Sequence, residues 1–207
     1  MKKLILSLGA MVEERVHLAI RAIEDGDTQI AATIIKSDYE IDEKEVEVEE
    51  ECLKIMALYQ PVAVDLRFLV AVIKINNDLE RIADEAVNIA ERVANISGKQ
   101  DGAFSFDYSH MAEIAEDMVK KSLDALVNLD VDLAFKVVTL DDDVDNLHAT
   151  AYDLIKKEMQ KMPAMAGALI NLYLISRHLE RIADHATNIA EEVIYLVEGE
   201  IVRHGNY

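Results

Sequence analysis

The chain has no tryptophan, two prolines, seven glycines and one cysteine in 207 residues, and only 5% of it is aromatic. Each shortage excludes something. A lone Cys52 cannot form an internal disulfide and fits a reducing compartment. So few prolines and glycines leave few places to turn the chain between short strands, which favours helices. With 51% hydrophobic residues and hardly any rings, the core must be built from Ala, Leu, Ile, Val and Met. No apolar run approaches the ~20 residues that span a bilayer, which argues against membrane insertion. The opening Met1-Lys2-Lys3 and the stretch Leu4 to Val12 have the outline of a signal peptide. However, no small-residue cleavage site follows, Glu13-Glu14-Arg15 interrupts the stretch, and a helical pattern continues through Val16 and Ile20. Positive charge is also scarce: 21 Lys and Arg against 40 Asp and Glu, a net charge of −19. Such a surface repels phosphate backbones and anionic lipid, which argues against nucleic-acid or membrane-surface binding and suits cations or a basic protein partner. The acids alternate with apolar residues at helical spacing, so the charge belongs to folded helices rather than to a disordered tail.

What is present is a duplication. At an offset of 103, Ala22-Ile23 falls on Ala125-Leu126, Asp27 on Asp130, Ala31 on Ala134, Asp38 on Asp141, Ile41 on Val144 and Asp42 on Asp145. Pro61 matches Pro163 at 102, and Leu79 to Glu91 matches Leu179 to Glu191 at 100, with 11 of 13 positions identical and only 85 and 87 different. The pattern predicts an all-α chain of two three-helix bundles. The first repeat takes 1–97, with helices near 2–25, 27–58 and 61–97. A linker follows at 98–106. The second repeat takes 107–207, with helices near 107–128, 130–161 and 164–198. Each proline stands where a third helix would begin, the position at which a missing N–H costs least. Short connections make each bundle up-down-up.

In the third helix, Leu79, Ile82, Ala83, Ala86, Ile89, Ala90 and Val93 share one face at about 100° per residue. Glu80, Asp84, Asn88 and Glu91 share another, repeated as Glu180, Asp184, Asn188 and Glu191. In the second helices Asp38 and Asp42 are four apart, as are Asp141 and Asp145, and residues four apart share a helix face. If the pairs converge, each repeat holds four carboxylates. Crowded anions raise one another's pKa unless a cation neutralises them, and oxygen-only donors favour hard ions such as Mg, Mn, Ca or Fe. Two readings are open on spacing: a solvated acidic face, or a multivalent metal site in each repeat. The recurrence of the same residue types in both copies favours the second.

The other chemistry-bearing residues give weaker patterns. His185 lies roughly 100° round the helix from Asp184 and reads as an edge ligand, a hydrogen-bonding residue or a surface residue; Glu85 replaces it in the first copy. Arg81 and Arg181 point away from the stripe, toward structural ion pairs with Asp78 or acids on a neighbouring helix. His17, His110, His148, His178 and His204 form no ligand spacing. Cys52 reads as a buried thiol. No Gly-rich phosphate loop and no Ser/His/Asp set is present.

Pro61-Val62-Ala63-Val64-Asp65-Leu66-Arg67, Leu79-Glu80-Arg81-Ile82-Ala83-Asp84 and Asn88-Ile89-Ala90-Glu91, with the second copy Leu179 to Glu191, closely resemble the PhoU family. The resemblance covers essentially the whole chain. It implies two three-helix bundles related by pseudo-twofold symmetry. It further implies a cytoplasmic, non-enzymatic accessory protein and negative regulator of phosphate uptake. Such a protein couples the ATPase subunit of a phosphate ABC transporter to a phosphate-sensing histidine kinase and holds the starvation response off when phosphate is plentiful. A homodimer is the expected assembly. Family members carry multinuclear metal clusters, reported with iron or zinc, on Glu/Asp-x-x-x-Asp motifs. Here those motifs fall on Glu80 and Asp84, Glu180 and Asp184, and the pairs Asp38/Asp42 and Asp141/Asp145. Mg and Mn also suit the donors. The family often has Gly-Asp-His where this chain has Ala83-Asp84-Glu85, a departure that points to a different ion or weaker binding at the first site. Few residues precede Gly9, whereas family members often start earlier. Related domains also accompany other phosphate carriers, and a carboxylate-cluster metalloenzyme or metal store is the competing class. The Glu-x-x-His spacing of ferritin-like enzymes is missing from the stripe, which counts against catalysis.

Overall fold

A computed structural model describes residues 1–96 and 106–199. The expected linker at 98–106 lies outside them except for Phe106, as do residues 200–207. Seven α-helices and one 3-10 turn are described: α1 Lys2–Asp25, α2 Thr28–Lys36, α3 Tyr39–Tyr59, α4 Val64–Ile96, α5 Ser109–Asn128, α6 Val131–Lys161, the turn Pro163–Met165, and α7 Ala166–Glu198. Among the described residues no helix is long and apolar enough to cross a membrane.

The repeated aspartates explain the hairpins. Asp27 caps α2, its carboxylate accepting from the amides of Gln29 at 2.7 Å and Ile30 at 3.1 Å, and Asp130 caps α6 through the Leu133 amide at 2.9 Å. The preceding helices both end on a left-handed residue, Gly26 in one repeat and Leu129 in the other. The start of the third helix differs from the expectation. Gln60 and Ala63 are both left-handed, so α4 begins at Val64, after Pro61, while Pro163 opens the 3-10 turn that leads into α7.

The second helix of the first repeat is broken in two, where one helix over 27–58 is expected. Arg15, buried on α1, donates to the carbonyls of Ile34 at 3.0 Å and Ser37 at 3.1 Å, and the Ser37 hydroxyl donates to the Thr33 carbonyl at 2.9 Å. These contacts divert the carbonyls of that turn, and the chain bends there before α3 resumes. The second repeat has Met118 and Leu140 at the equivalent positions, and α6 runs unbroken. Arg15→Met should therefore lower stability by roughly 2 kcal/mol, since it leaves two carbonyls without a charged donor. A urea midpoint equal to that of the native chain would show that the guanidinium does not hold the bend.

The two bundles pack into one body. The most extensive interface is between α4 and α7, and α1 also meets α5. That second contact is close: a Cβ on Gly9 would lie 2.7 Å from the Leu123 side chain. Leu79, Ile82, Ala83, Ala86, Ile89, Ala90 and Val93 are all buried, as are their counterparts on α7, so the predicted apolar faces form the seam. Polar pairs cross the same seam. Glu85, 2% exposed, meets His178 Nδ1 at 2.6 Å and Arg181 Nε at 3.0 Å. Asp78 meets His185 Nδ1 at 2.9 Å and accepts from Asn188 at 3.1 Å. Lys74 reaches the buried Glu192 at 3.1 Å. In the two histidine pairs the acids stand on α4 and the histidines on α7. Two copies of the first repeat would face Glu85 with Asp78, and two of the second would face His185 with His178. The pairs therefore favour one repeat of each kind.

Candidate carboxylate centres

The centres follow from the packing of α3 on α4 and of α6 on α7. In the first repeat α3 brings Asp42, and the bend before it brings Asp38, to the face of α4 that carries Glu80 and Asp84. Their charges act on one another. Burial raises the pKa of Asp38, with Asp42 and Asp84 adding to it against Arg15. Burial likewise raises Glu80, aided by Asp84, Glu45 and Asp42. Asp84 is raised by burial first, with Arg81 opposing and Asp42 and Glu85 adding.

The second repeat repeats the arrangement more strongly. Asp141 is pushed up to about 6, by burial first and then by Asp184 and Asp145. Glu180 is raised by burial, with Arg177 opposing and Asp145 and Asp141 adding. Asp184 is raised by burial, Glu180 and Asp145 against His185 and Arg181. A cleft of about 900 Å³ between α4 and α7, lined by Lys74, Asp78, Arg181 and His185 among others, reaches Asp141 and Asp184.

All four sequence-picked carboxylates of each repeat thus lie in one electrostatic cluster. Among the described residues, no three His, Cys, Asp or Glu side chains stand together as a group that could hold a metal ion. Two further facts bear on the fit. One carboxylate oxygen of Glu180, Oε2, is buried without a hydrogen-bond donor, while its counterpart Glu80 Oε2 has the Arg81 guanidinium 3.5 Å away. A buried oxygen left unsatisfied is costly unless some ligand completes it. The donor set is also hard and anionic, which suits a multivalent cation.

Several neighbours are placed differently from the spacing argument. Arg81 lies along the stripe, 3.5 Å from Glu80 and 4.0 Å from Asp84, rather than on another helix. Arg181 does cross to a neighbouring helix, at Glu85. Glu85 and Asn88 face the seam, where Asn88 donates to Glu85 at 3.4 Å, and His185 is a hydrogen-bonding residue of the same seam. The Glu85 departure therefore belongs to the inter-repeat interface. His17 pairs with Glu116 on α5 at 2.8 Å, and Cys52 is buried.

Two residues passed over by the spacing argument stand beside the centres. Glu45 lies one turn after Asp42, and Asn76 donates to its Oε1 at 2.9 Å and to its backbone carbonyl at 3.0 Å. His148 lies one turn after Asp145, and its Nδ1 is 3.2 Å from the Ser176 hydroxyl. The offset of 103 that pairs the aspartates also pairs Glu45 with His148, and the offset of 100 pairs Asn76 with Ser176. That signal was available in the sequence, hidden by the change of residue type.

The comparisons with known proteins agree over nearly the whole length. The model of the PhoU domain matches residues 5–93 and 108–193. A phosphate-specific transport system accessory protein PhoU homolog of Pseudomonas aeruginosa is 37% identical over 201 residues, covering 97% of this chain and 83% of that protein. A protein of the same description from Aquifex aeolicus is 38% identical over 203 residues, covering 98% and 92%. The crystal structure of PhoU from Pseudomonas aeruginosa superposes with a TM-score of 0.93 at 36% identity, covering 96% of each chain. That of the phosphate transport system regulatory protein PhoU from Streptococcus pneumoniae gives 0.86 at 28% identity, covering 97% of this chain and 95% of the other. With both repeats matched and the fold shared along the whole chain, this protein belongs to the PhoU family.

Proposed function

We propose that this chain is an accessory protein of phosphate uptake that acts as a negative regulator of the phosphate-starvation response. In this reading it works in the cytoplasm, as a homodimer, between the ATPase subunit of a phosphate ABC transporter and a phosphate-sensing histidine kinase. The observation that carries the reading is the full-length similarity, at 37% identity, to a phosphate-specific transport system accessory protein. The net charge of −19 supports docking onto basic partner surfaces. Asp38, Asp42, Glu80 and Asp84, and in the second repeat Asp141, Asp145, Glu180 and Asp184, would hold metal ions. Iron or zinc follows from the family likeness, and Mg or Mn from the hardness of the donors. The buried Glu180 oxygen that has no hydrogen-bond donor supports that assignment. A bound cation would supply the positive charge that lets the four acids of each repeat stay ionised and close together. The residues themselves perform no chemistry in this reading; they set the packing of α3 on α4 and of α6 on α7, and with it the surface offered to partners.

The test is a phosphate-starvation reporter, such as alkaline phosphatase, in a strain lacking the protein and grown in ample phosphate. High activity is expected, returned to low by the intact gene. Low activity in the deletion strain would move the assignment to another phosphate carrier or to metal storage.

A further inference from the structure

Of the fifteen large hydrophobic residues exposed among the described residues, eight stand at one end of the body. Five lie between Leu58 and Leu66, around the turn from α3 to α4; Val127 and Leu129 end α5, and Val197 ends α7. Beside them is a groove of about 620 Å³, with nine apolar residues among the eleven that line it. Four helix ends build it: Ile5 from α1, Phe68 from α4, Leu126 from α5 and Leu196 from α7. Its size and lining are those of a binding pocket, and exposed apolar surface gathered in one place marks a site that something covers. We propose that the groove is the docking site of the chain's own segment after α7, with Ile201 and Val202 as the side chains that enter it.

The last helix delivers this segment to the groove. Leu196 and Val197 line it, and α7 ends at Glu198. Gly199 is left-handed, with its amide on the Tyr195 carbonyl at 2.9 Å, which stops the helix and turns the chain off its axis. The turn is packed against α4: a Cβ on Gly199 would lie 2.7 Å from the Arg67 guanidinium. Ile201 and Val202 follow Gly199 by two and three residues, so even a fully extended chain keeps them within about 10 Å of it. Residues 97–105 cannot take their place. They follow Ile96, which lies a whole helix away from Val64, roughly 48 Å at 1.5 Å per residue. Nine residues span at most about 35 Å, and this stretch must also return to Phe106.

The chemistry of the segment matches the groove. Ile201-Val202 is flanked by Glu200 and Arg203. The two charged residues that line the groove are Lys2 and Asp65. An apolar pair between opposite charges thus meets an apolar groove that carries one charge of each sign. A second copy of the chain is the competing occupant, and tethering decides between them. A segment joined to the groove's own wall meets it at an effective concentration of about 1 mM, which a free copy at micromolar concentration must overcome by affinity. Docked there, the segment fastens the last helix of the second repeat to α1 and α4 of the first, across the junction of the two repeats.

The experiment titrates Nile red, a neutral dye that a net charge of −19 does not repel, into the full chain and into a chain ending at Gly199. With an effective concentration of about 1 mM and an intrinsic Kd of about 0.1 mM, the segment leaves the groove open roughly a tenth of the time, so its removal should tighten dye binding about tenfold. Val127→Lys in the shortened chain should abolish the gain, which places the dye in the groove. In the full chain, Ile201→Asp with Val202→Asp should match the shortened chain, and Ile201→Val with Val202→Ile should match the native one. Far-UV circular dichroism checks that every variant keeps its helices. Equal dye affinity in the native and shortened chains overturns the proposal. A native affinity that rises on dilution, in step with loss of a dimer in sedimentation, overturns it too and makes a second copy the occupant. So does a gain that survives Val127→Lys, or one that Ile201→Asp with Val202→Asp fails to reproduce.

Discussion

Asp141→Asn should make the metal-free protein more stable at neutral pH and the metal-loaded protein less so. The Asp141 carboxyl is pushed up to about 6, from an ordinary 3.8, by burial and by the charges of Asp184 and Asp145. A folded-state pKa above the unfolded one means that the fold opposes ionisation of this group. The penalty is absent below the unfolded value, grows between about 4 and about 6, and is fully present above. A shift of about two units corresponds to nearly 3 kcal/mol at ~1.4 kcal/mol per unit, and solvent at this half-buried site reduces it to about 1–2 kcal/mol. For a chain of this size that is a rise in Tm of roughly 3–6 °C. A cation reverses the sign, because a ligand at 100 times its Kd stabilises the native state by about 2.7 kcal/mol and the variant loses its share. Thermal melts of both proteins in chelator at pH 7.5 and 5, then with Mn(II) or Zn(II), check this. In chelator the two curves should converge as the pH falls. A variant that melts lower than the native chain in chelator at pH 7.5 would contradict the electrostatic account of the site.

Glu85→Ala should be the most damaging single substitution on the seam, costing about 3 kcal/mol. Removing one member of a buried charged set leaves the others uncompensated, which typically costs about 3–5 kcal/mol. The lower end applies because the Arg181 side chain is 43% exposed and can turn to water. Glu85→Gln keeps the volume and one acceptor and should cost less, about 1–2 kcal/mol. The pH dependence gives a second signature. Burial acts to raise the Glu85 pKa, but the His178 hydrogen bond, the Arg181 charge and Asn88 prevail and hold it below its ordinary 4.5. A depressed folded-state pKa gives stability that is present above the unfolded value and is lost as the pH falls through the folded one. Urea titrations from pH 6 to pH 3 should show the native chain losing this increment below about pH 4.5, with a shallower loss in Glu85→Gln. Equal slopes would show that the Glu85 charge adds nothing to the seam.

These two substitutions mark where sequence reasoning succeeds and where it fails. Asp141 is one of eight carboxylates chosen from spacing alone, and all eight lie in the two clusters. Helical periodicity is local, and a repeated i, i+4 pair on adjacent helices leaves few alternatives. Glu85 was read as a change in the first metal site because it follows Asp84 directly. Its role depends on a partner helix about a hundred residues away, and no spacing within α4 indicates which way a residue at the edge of a face will turn. The break between α2 and α3 has the same cause. Thr28 to Tyr59 has a continuous helical pattern, and the bend comes from Arg15 on a different helix.

By itself the sequence determined the helical class, the duplication, the apolar faces and the family, because each rests on short-range periodicity or on the same residues occurring twice. The tertiary structure alone decided that the repeats pack through α4 and α7. It also assigned Glu85, His178, Asp78 and His185 to that seam. Those outcomes depend on which helix faces which. That is fixed by the summed packing of the whole core, in which no single stretch of sequence holds enough of the contacts to declare it.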